Sequence, residues 1–277
     1  MDEQEKQIVP PSHNESDIMW NNVFADIRKQ KRDKKRRKML LFSSISVAAI
    51  IIIFGSIVTY KTLRSPEIYY AYDKNITVTL ADLSQVTLLK GAKLTVEKSF
   101  PNETRDVFLE GNAVFNVTKS KAHPFIVHAN GYETKVLGTV FKIIQTSKAF
   151  NVDLYEGKVQ ITTTGKLRES YVIHPKETFS NMGLPNVATI APTDRPKTAS
   201  DNIAISTLSF NDIRLEDAVS VLEETYEIEI KFPTEMRTST ISISNGKGSA
   251  SDIIRLISLQ LNLKTKKIND KIFELEE

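Results

Sequence analysis

The spacing of apolar residues changes character several times along the chain. Residues 1–15 show no period and contain Pro10-Pro11, the pattern of a polar, disordered segment. From Ser16 or Asp17, either able to cap a helix, Met19, Trp20, Val23, Phe24 and Ile27 recur at three- and four-residue steps, which predicts an amphipathic helix. Residues 39–60 (MLLFSSISVAAIIIIFGSIVTY) then carry no charge at all. A bilayer core of about 30 Å needs about 20 apolar residues in a helix, so this run predicts a single membrane span. After a short juxtamembrane linker the period falls to two. Ile76, Val78 and Leu80 alternate, then Val86 and Leu88, Leu94 and Val96, Val107 and Leu109, with turns every eight to twelve residues or so. Many short, evenly spaced strands predict an all-β sandwich, roll or short solenoid, with Gly111, Gly138 and Gly157 at bulges or turns where a missing Cβ permits positive φ. Residues 181–203 are rich in Pro, Thr, Ser and Asn and read as a linker. Beyond them STLSF, RLEDAVSVLEETY, EIEIKF, STISISNG, SASDIIRLISLQLNL and a hairpin turned at Asn269-Asp270 give the order β-α-β-β-α-β-β, a small α/β sandwich. Asn211 or Asp212 is placed near the start of its first helix, and Asn245-Gly246-Lys247-Gly248 is a plain turn.

The expected organisation is a tail over 1–38, a transmembrane helix over 39–60, a β-rich domain over 66–180, a linker over 181–203 and an α/β domain over 204–277. Charge orients it. The run RKQKRDKKRRK (28–38) is nearly all basic, whereas only Lys61 and Arg64 follow the span closely, so the tail is expected in the cytoplasm and the remainder exported. The apolar run exceeds the 7–15 residues of a cleavable signal, and TYKTLRSP offers no small-residue cleavage site. Met1–Arg64 holds twelve Lys/Arg against seven Asp/Glu, leaving 25 against 27 for the rest. The basic character therefore belongs to the anchor, which removes the case for a nucleic-acid-binding face on the folded part. The chain has no cysteine, ordinary for a bacterial periplasm and less so for an animal ectodomain.

Little in the sequence points to catalysis. His123 and His128 are the only closely spaced histidines, and five residues apart on a strand they face opposite ways, a poor metal pair. Asp153 and Glu156 flank a strand and turn with nothing to single them out, and no nucleophile-elbow, zincin or phosphate-loop motif occurs. No enzyme and no cofactor are expected. The tail is too short for a core of its own yet holds the only tryptophan. Its apolar face either lies on lipid or enters a partner's groove, with Trp20, Phe24 and Ile27 as contact residues.

Taken in order, RDVFLEGNAVFNV (105–117), HPFIV (123–127), VLGTVFKI (136–143) and VDLYEGKVQI (152–161) resemble the periplasmic domain of FecR-type anti-sigma factors. The departures sit at turns: Asp82-Leu83-Ser84 where the family usually shows Asp-Gly-Ser, Gly111-Asn112-Ala113 for Gly-Glu-Ala, and His174-Pro175-Lys176-Glu177 for Pro-Gly-Glu. The last segment resembles the short C-terminal domain of Bacteroidetes-type members, itself similar to the signalling modules of secretins and TonB-dependent transporters. The resemblance implies a single-pass inner-membrane protein that binds an ECF-type sigma factor through its cytoplasmic tail. It further implies that the periplasmic domains sense a TonB-dependent outer-membrane transporter; because one helix is a poor rigid lever, proteolysis of the anchor is the expected transmission, with Gly55-Ser56 the weakest helical point. The alternative is an anchored periplasmic carbohydrate- or envelope-binding module; an anchored hydrolase would need a paired-carboxylate cleft that the sequence does not display.

Overall fold

The computed structural model describes residues 29, 31, 32, 34, 52–56, 66–98, 100–165, 168–194 and 205–277. The chain divides into two compact units, Met1–Arg64 and Ser65–Glu277. In the first, Lys29, Lys31, Arg32, Lys34 and residues 52–56 are helical. Among the described residues no helix is long and apolar enough to cross a membrane. Most of the expected span, and the whole of the expected amphipathic stretch from Ser16 to Ile27, lie outside the described residues.

The second unit begins with fourteen strands. They are β1 (Glu67–Tyr70), β2 (Ile76–Thr79), β3 (Gln85–Leu88), β4 (Lys93–Val96), β5 (Arg105–Glu110), β6 (Ala113–Asn116) and β7 (Phe125–Ala129). There follow β8 (Tyr132–Val136), β9 (Val140–Gln145), β10 (Phe150–Glu156), β11 (Val159–Thr163), β12 (Ser170–Ile173), β13 (Glu177–Ser180) and β14 (Val187–Pro192). One sheet has the order β1-β4-β5-β7-β8-β11-β12, antiparallel except at β5–β7. The period-two pattern aims Leu94, Val107 and Val127 from this sheet, and Leu88, Phe115 and Phe141 from the other, into one shared core. Of the sequence alternatives, the sandwich is the one that forms. Phe115 and Phe141 stack at 4.9 Å and Tyr132 and Phe150 at 4.5 Å, burying large rings in preferred offset geometry. Gly111, Gly138 and Gly157 have φ of 83°, 145° and 95°. At Gly138 a Cβ would stand 2.6 Å from the Lys119 Cα, so the close approach of two chains excludes a side chain there.

The C-terminal part follows the expected order: β15 (Ser206–Arg214), α1 (Leu215–Tyr226), β16 (Glu229–Lys231), a 3-10 turn (Thr234–Met236), β17 (Thr240–Gly248), α2 (Ala250–Leu261), β18 (Lys264–Lys267) and β19 (Ile272–Glu276). Its helices and strands enclose a second core that includes Leu208, Leu222, Ile253 and Phe273. Of three local expectations, two need correction. The stretch 181–203 is not wholly a linker: β14 lies within it and pairs with β13 and β15. A single sheet therefore runs β17-β15-β14-β13-β10-β9-β6-β3-β2 through both parts. Pro192 is tolerated because it is the last residue of its strand. Asn211 and Asp212 lie near the start of α1 as expected, within the end of β15; the N-cap is Arg214, whose side chain makes no capping bond and donates from Nε to Asp217 Oδ2 at 3.0 Å. Asn245–Gly248 is strand, not turn: a Cβ at Gly246 would meet Ile243 at 2.7 Å and one at Gly248 would meet Asp252 at 2.6 Å.

Candidate functional site: a buried ion pair, two grooves and the sheet edges

Trp20, Phe24 and Ile27, the residues expected to meet a sigma factor, lie outside the described residues. What the described residues offer is a set of surfaces, and one internal knot that shapes an end of the sandwich. Arg105 opens β5 in phase with Val107 and Leu109, so its side chain points inward and is 2% exposed. Its Nη1 donates to Asp82 Oδ2 at 2.6 Å and to Thr118 O at 3.0 Å, and its Nε to His123 O at 2.8 Å. Asp82 in turn accepts from the backbone and hydroxyl of Ser84, whose Oγ accepts from Thr118 N. Nη2 is buried without a hydrogen-bond partner, and Cζ stands 5.4 Å from the Phe125 ring centroid, so this deeply desolvated charge rests on three bonds, one counter-charge and a ring face. The knot ties the β2–β3 turn to the β6–β7 loop. Sequence reading quoted this arginine within a motif and passed over it; the available signal was its phase, a charge at a position that alternation reserves for an apolar residue.

The two turn positions where the family resemblance leads one to expect glycine keep a glycine-like backbone without it: Leu83 has φ 67° and Lys176 φ 70°. Asn112, the third departure, accepts from Gln145 N at 2.7 Å and so fastens the β5–β6 turn to the end of β9.

The histidines do not form a centre. His123 lies in the loop before β7, where its Nδ1 stands 2.6 Å from Asn102 O, so the opposite-faces argument does not describe it. His128 is on β7, stacked on Phe108 at 4.7 Å, with Nε2 2.8 Å from Asp106 Oδ1. Among the described residues no three His, Cys, Asp or Glu come together as a metal site would require. Asp153 accepts from Thr178 Oγ1 at 2.9 Å, and Glu156 pairs with Lys119 at 3.6 Å.

Among the described residues, two grooves of ligand size stand out. One, of about 760 Å³, lies at the end of the sandwich where β13 leads into β14, and is lined by Tyr132, Lys148, Glu169, Asn181, Asn186 and Asn211 among others. Asn181 holds its wall: Oδ1 accepts from Phe150 N and Gly183 N while Nδ2 donates to Lys148 O. Nearby, burial together with a hydrogen bond to Glu169 raises the Tyr171 phenol well above its usual range. The other groove, of about 510 Å³, lies at the opposite end, against the outer face of β8, β11 and β12.

Sheet edges are the remaining surfaces. In the small sheet, order β16-β19-β18, the outer strand β18 carries Lys264, Lys266 and Lys267, the charged edge that discourages stray pairing. At β17, the end strand of the long sheet, Ser242 N is met by Gln260 Oε1 of α2. At β1, by contrast, Ile68, Tyr70 and the following Tyr72 are 60%, 42% and 73% exposed.

The described surfaces sit on a β-sandwich continued by a βαββαββ module. Comparison with known families makes this architecture specific. The family described as FecR protein matches residues 68–160, and FecR, C-terminal, matches 207–274. The chain belongs to the FecR family. Two crystal structures of a protein from Parabacteroides distasonis ATCC 8503 proposed to be an anti-sigma factor, at 2.50 and 1.65 Å, are similar to it. They share 21% and 22% identity, cover 77% and 76% of this chain and 99% of their own, and have TM-scores of 0.44 and 0.43. No curated protein matches the chain.

Proposed function

We propose that this chain is a single-pass anti-sigma regulator of the inner membrane, with residues 1–38 in the cytoplasm, 39–60 spanning, and the unit Ser65–Glu277 in the periplasm. The observation that carries the reading is the succession of the two FecR matches, one on the sandwich and one on the module that extends its sheet. The charge-free run of 39–60 behind nine basic residues in 28–38 supports the topology. In this reading the tail helix holds an ECF-type sigma factor through Trp20, Phe24 and Ile27. The periplasmic unit meets the signalling domain of a TonB-dependent transporter, and the signal crosses by proteolysis of the anchor. One helix is a poor lever, whereas removing an anchor changes the tail's state completely.

The test is capture of sigma factors by the full chain in detergent from host membranes. One sigma factor is expected to co-purify, and Trp20→Ala and Phe24→Ala are each expected to weaken it by more than tenfold, as loss of a buried aromatic anchor does. Capture that is unaffected by both substitutions, or absent, would return the chain to an anchored binding module.

A further inference from the structure

The smaller groove carries a charge pattern that the regulator reading does not use. Lys121, Lys135 and Lys158 ring it, Pro124, Leu137 and Val172 supply its apolar lining, and no carboxylate lines it. Leu137 and Val172 are 45% and 40% exposed. Among the described residues the three lysine side chains enter no ion pair, whereas Lys93, Lys119, Lys266 and Lys267 all do. Glu156, the last residue of β10, is engaged by Lys119 at 3.6 Å. Three unneutralised cations above an apolar floor suit an anionic amphiphile better than a neutral or cationic ligand.

Strand register says which end of the sandwich this is. The chain comes into β1 at Glu67, whose row continues through Val96, Val107, Val127, Thr134, Ile161 and Tyr171. One residue further towards the incoming chain lies the row Asp106, Ile126, Lys135, Gln160 and Val172. Beyond that row come Leu137 and Lys158, past the strand ends at Val136 and Val159. The groove therefore opens at the end of the sandwich through which the chain arrives from residue 66. If 39–60 span the membrane, the six residues 61–66 reach at most about 20 Å, so that end is tethered close to the leaflet.

We infer that this groove docks on phosphate-bearing headgroups of anionic lipids, resting on the reading of 39–60 as a span. The lysines give the attraction and Leu137 and Val172 accept the glycerol and upper acyl region. An acidic partner peptide is the competing occupant; the groove lies four to six strands across the sheet from β1 but opens at the end of the sandwich that the chain enters, and this opening together with its apolar floor favours the lipid.

The test places the full chain in nanodiscs of phosphatidylcholine alone or mixed with phosphatidylglycerol, and follows amide hydrogen exchange at 119–124, 135–139 and 157–160. Slower exchange is expected with phosphatidylglycerol only. Lys121→Gln, Lys135→Gln and Lys158→Gln together are expected to abolish it, a loss of roughly a hundredfold in headgroup affinity if each lysine gives about fivefold. Lys74→Gln, Lys90→Gln and Lys148→Gln, equally exposed at the other end of the sandwich, change net charge by the same amount and are expected to have no effect. Equal exchange in both discs overturns the inference. So does protection by inorganic phosphate or a polyglutamate peptide in phosphatidylcholine discs that matches the lipid effect. Alkaline extraction of the same chain from membranes reports separately on the span: a chain washed off defeats the topology, whereas a retained chain with equal exchange defeats the groove alone.

Discussion

Arg105 shows how much a single residue decides here. Its guanidinium is buried with Asp82, and the β2–β3 turn and the β6–β7 loop hang on the pair. Asp82→Ala leaves that cation desolvated and without its counter-charge, so a loss of about 3–5 kcal/mol is expected in chemical denaturation; a loss under 1 kcal/mol would mean that the pair is incidental. At Leu83 the sign reverses. A leucine at φ 67° and 74% exposed has little packing to lose. Leu83→Gly relieves about 1–2 kcal/mol of left-handed strain against about 0.4–1 kcal/mol of added chain entropy. A net gain is expected, read as a higher denaturation midpoint, and a lower midpoint contradicts it. Tyr171 makes the stability depend on alkaline pH. Burial raises its folded pKa above its ordinary value of 10.0, so its contribution is intact below pH 10 and lost as pH rises further. Stability is expected to fall above pH 10, and Tyr171→Phe to flatten that fall; an unchanged slope would show the phenol ionising in the fold as it does outside.

Among elements, those announced by periodicity were the most legible. Alternation placed the strands of the sandwich because one face of each meets the shared core, and 3.6-residue spacing placed both helices. Strand β14 was hidden because Pro185 precedes it, Pro192 ends it and VATIAP shows no alternation of apolar and polar residues. Its burial comes from two neighbours, β13 and β15, that sequence cannot see. Caps were half legible. Asn211 and Asp212 are good capping types, yet they form the bulge of β15 between Phe210 and Ile213, with Asp212 at φ 51°. The start of α2 carries a full capping box, Ser249 N to Asp252 Oδ2 at 2.9 Å and Asp252 N to Ser249 Oγ at 3.4 Å. Ser249→Ala is expected to cost about 1 kcal/mol, measured by thermal unfolding, and no change would mean that the box is redundant.

At the scale of the molecule, β14 is what couples the two FecR regions. Its Val187 belongs to the C-terminal core and its Ala188 to the sandwich core, while its backbone continues the common sheet. The candidate surfaces divide the same way: grooves, edges and the buried pair emerge only when distant strands meet, whereas Trp20, Phe24 and Ile27 are an expectation from helical spacing that lies outside the described residues. The central claim is that this chain controls a sigma factor from the membrane, and transcripts in the host measure that most directly. Deleting the chain is expected to change one coherent set of sigma-dependent transcripts, and Trp20→Ala with Phe24→Ala in the full chain is expected to change the same set in the same direction. An unaltered transcript profile in both strains would contradict it.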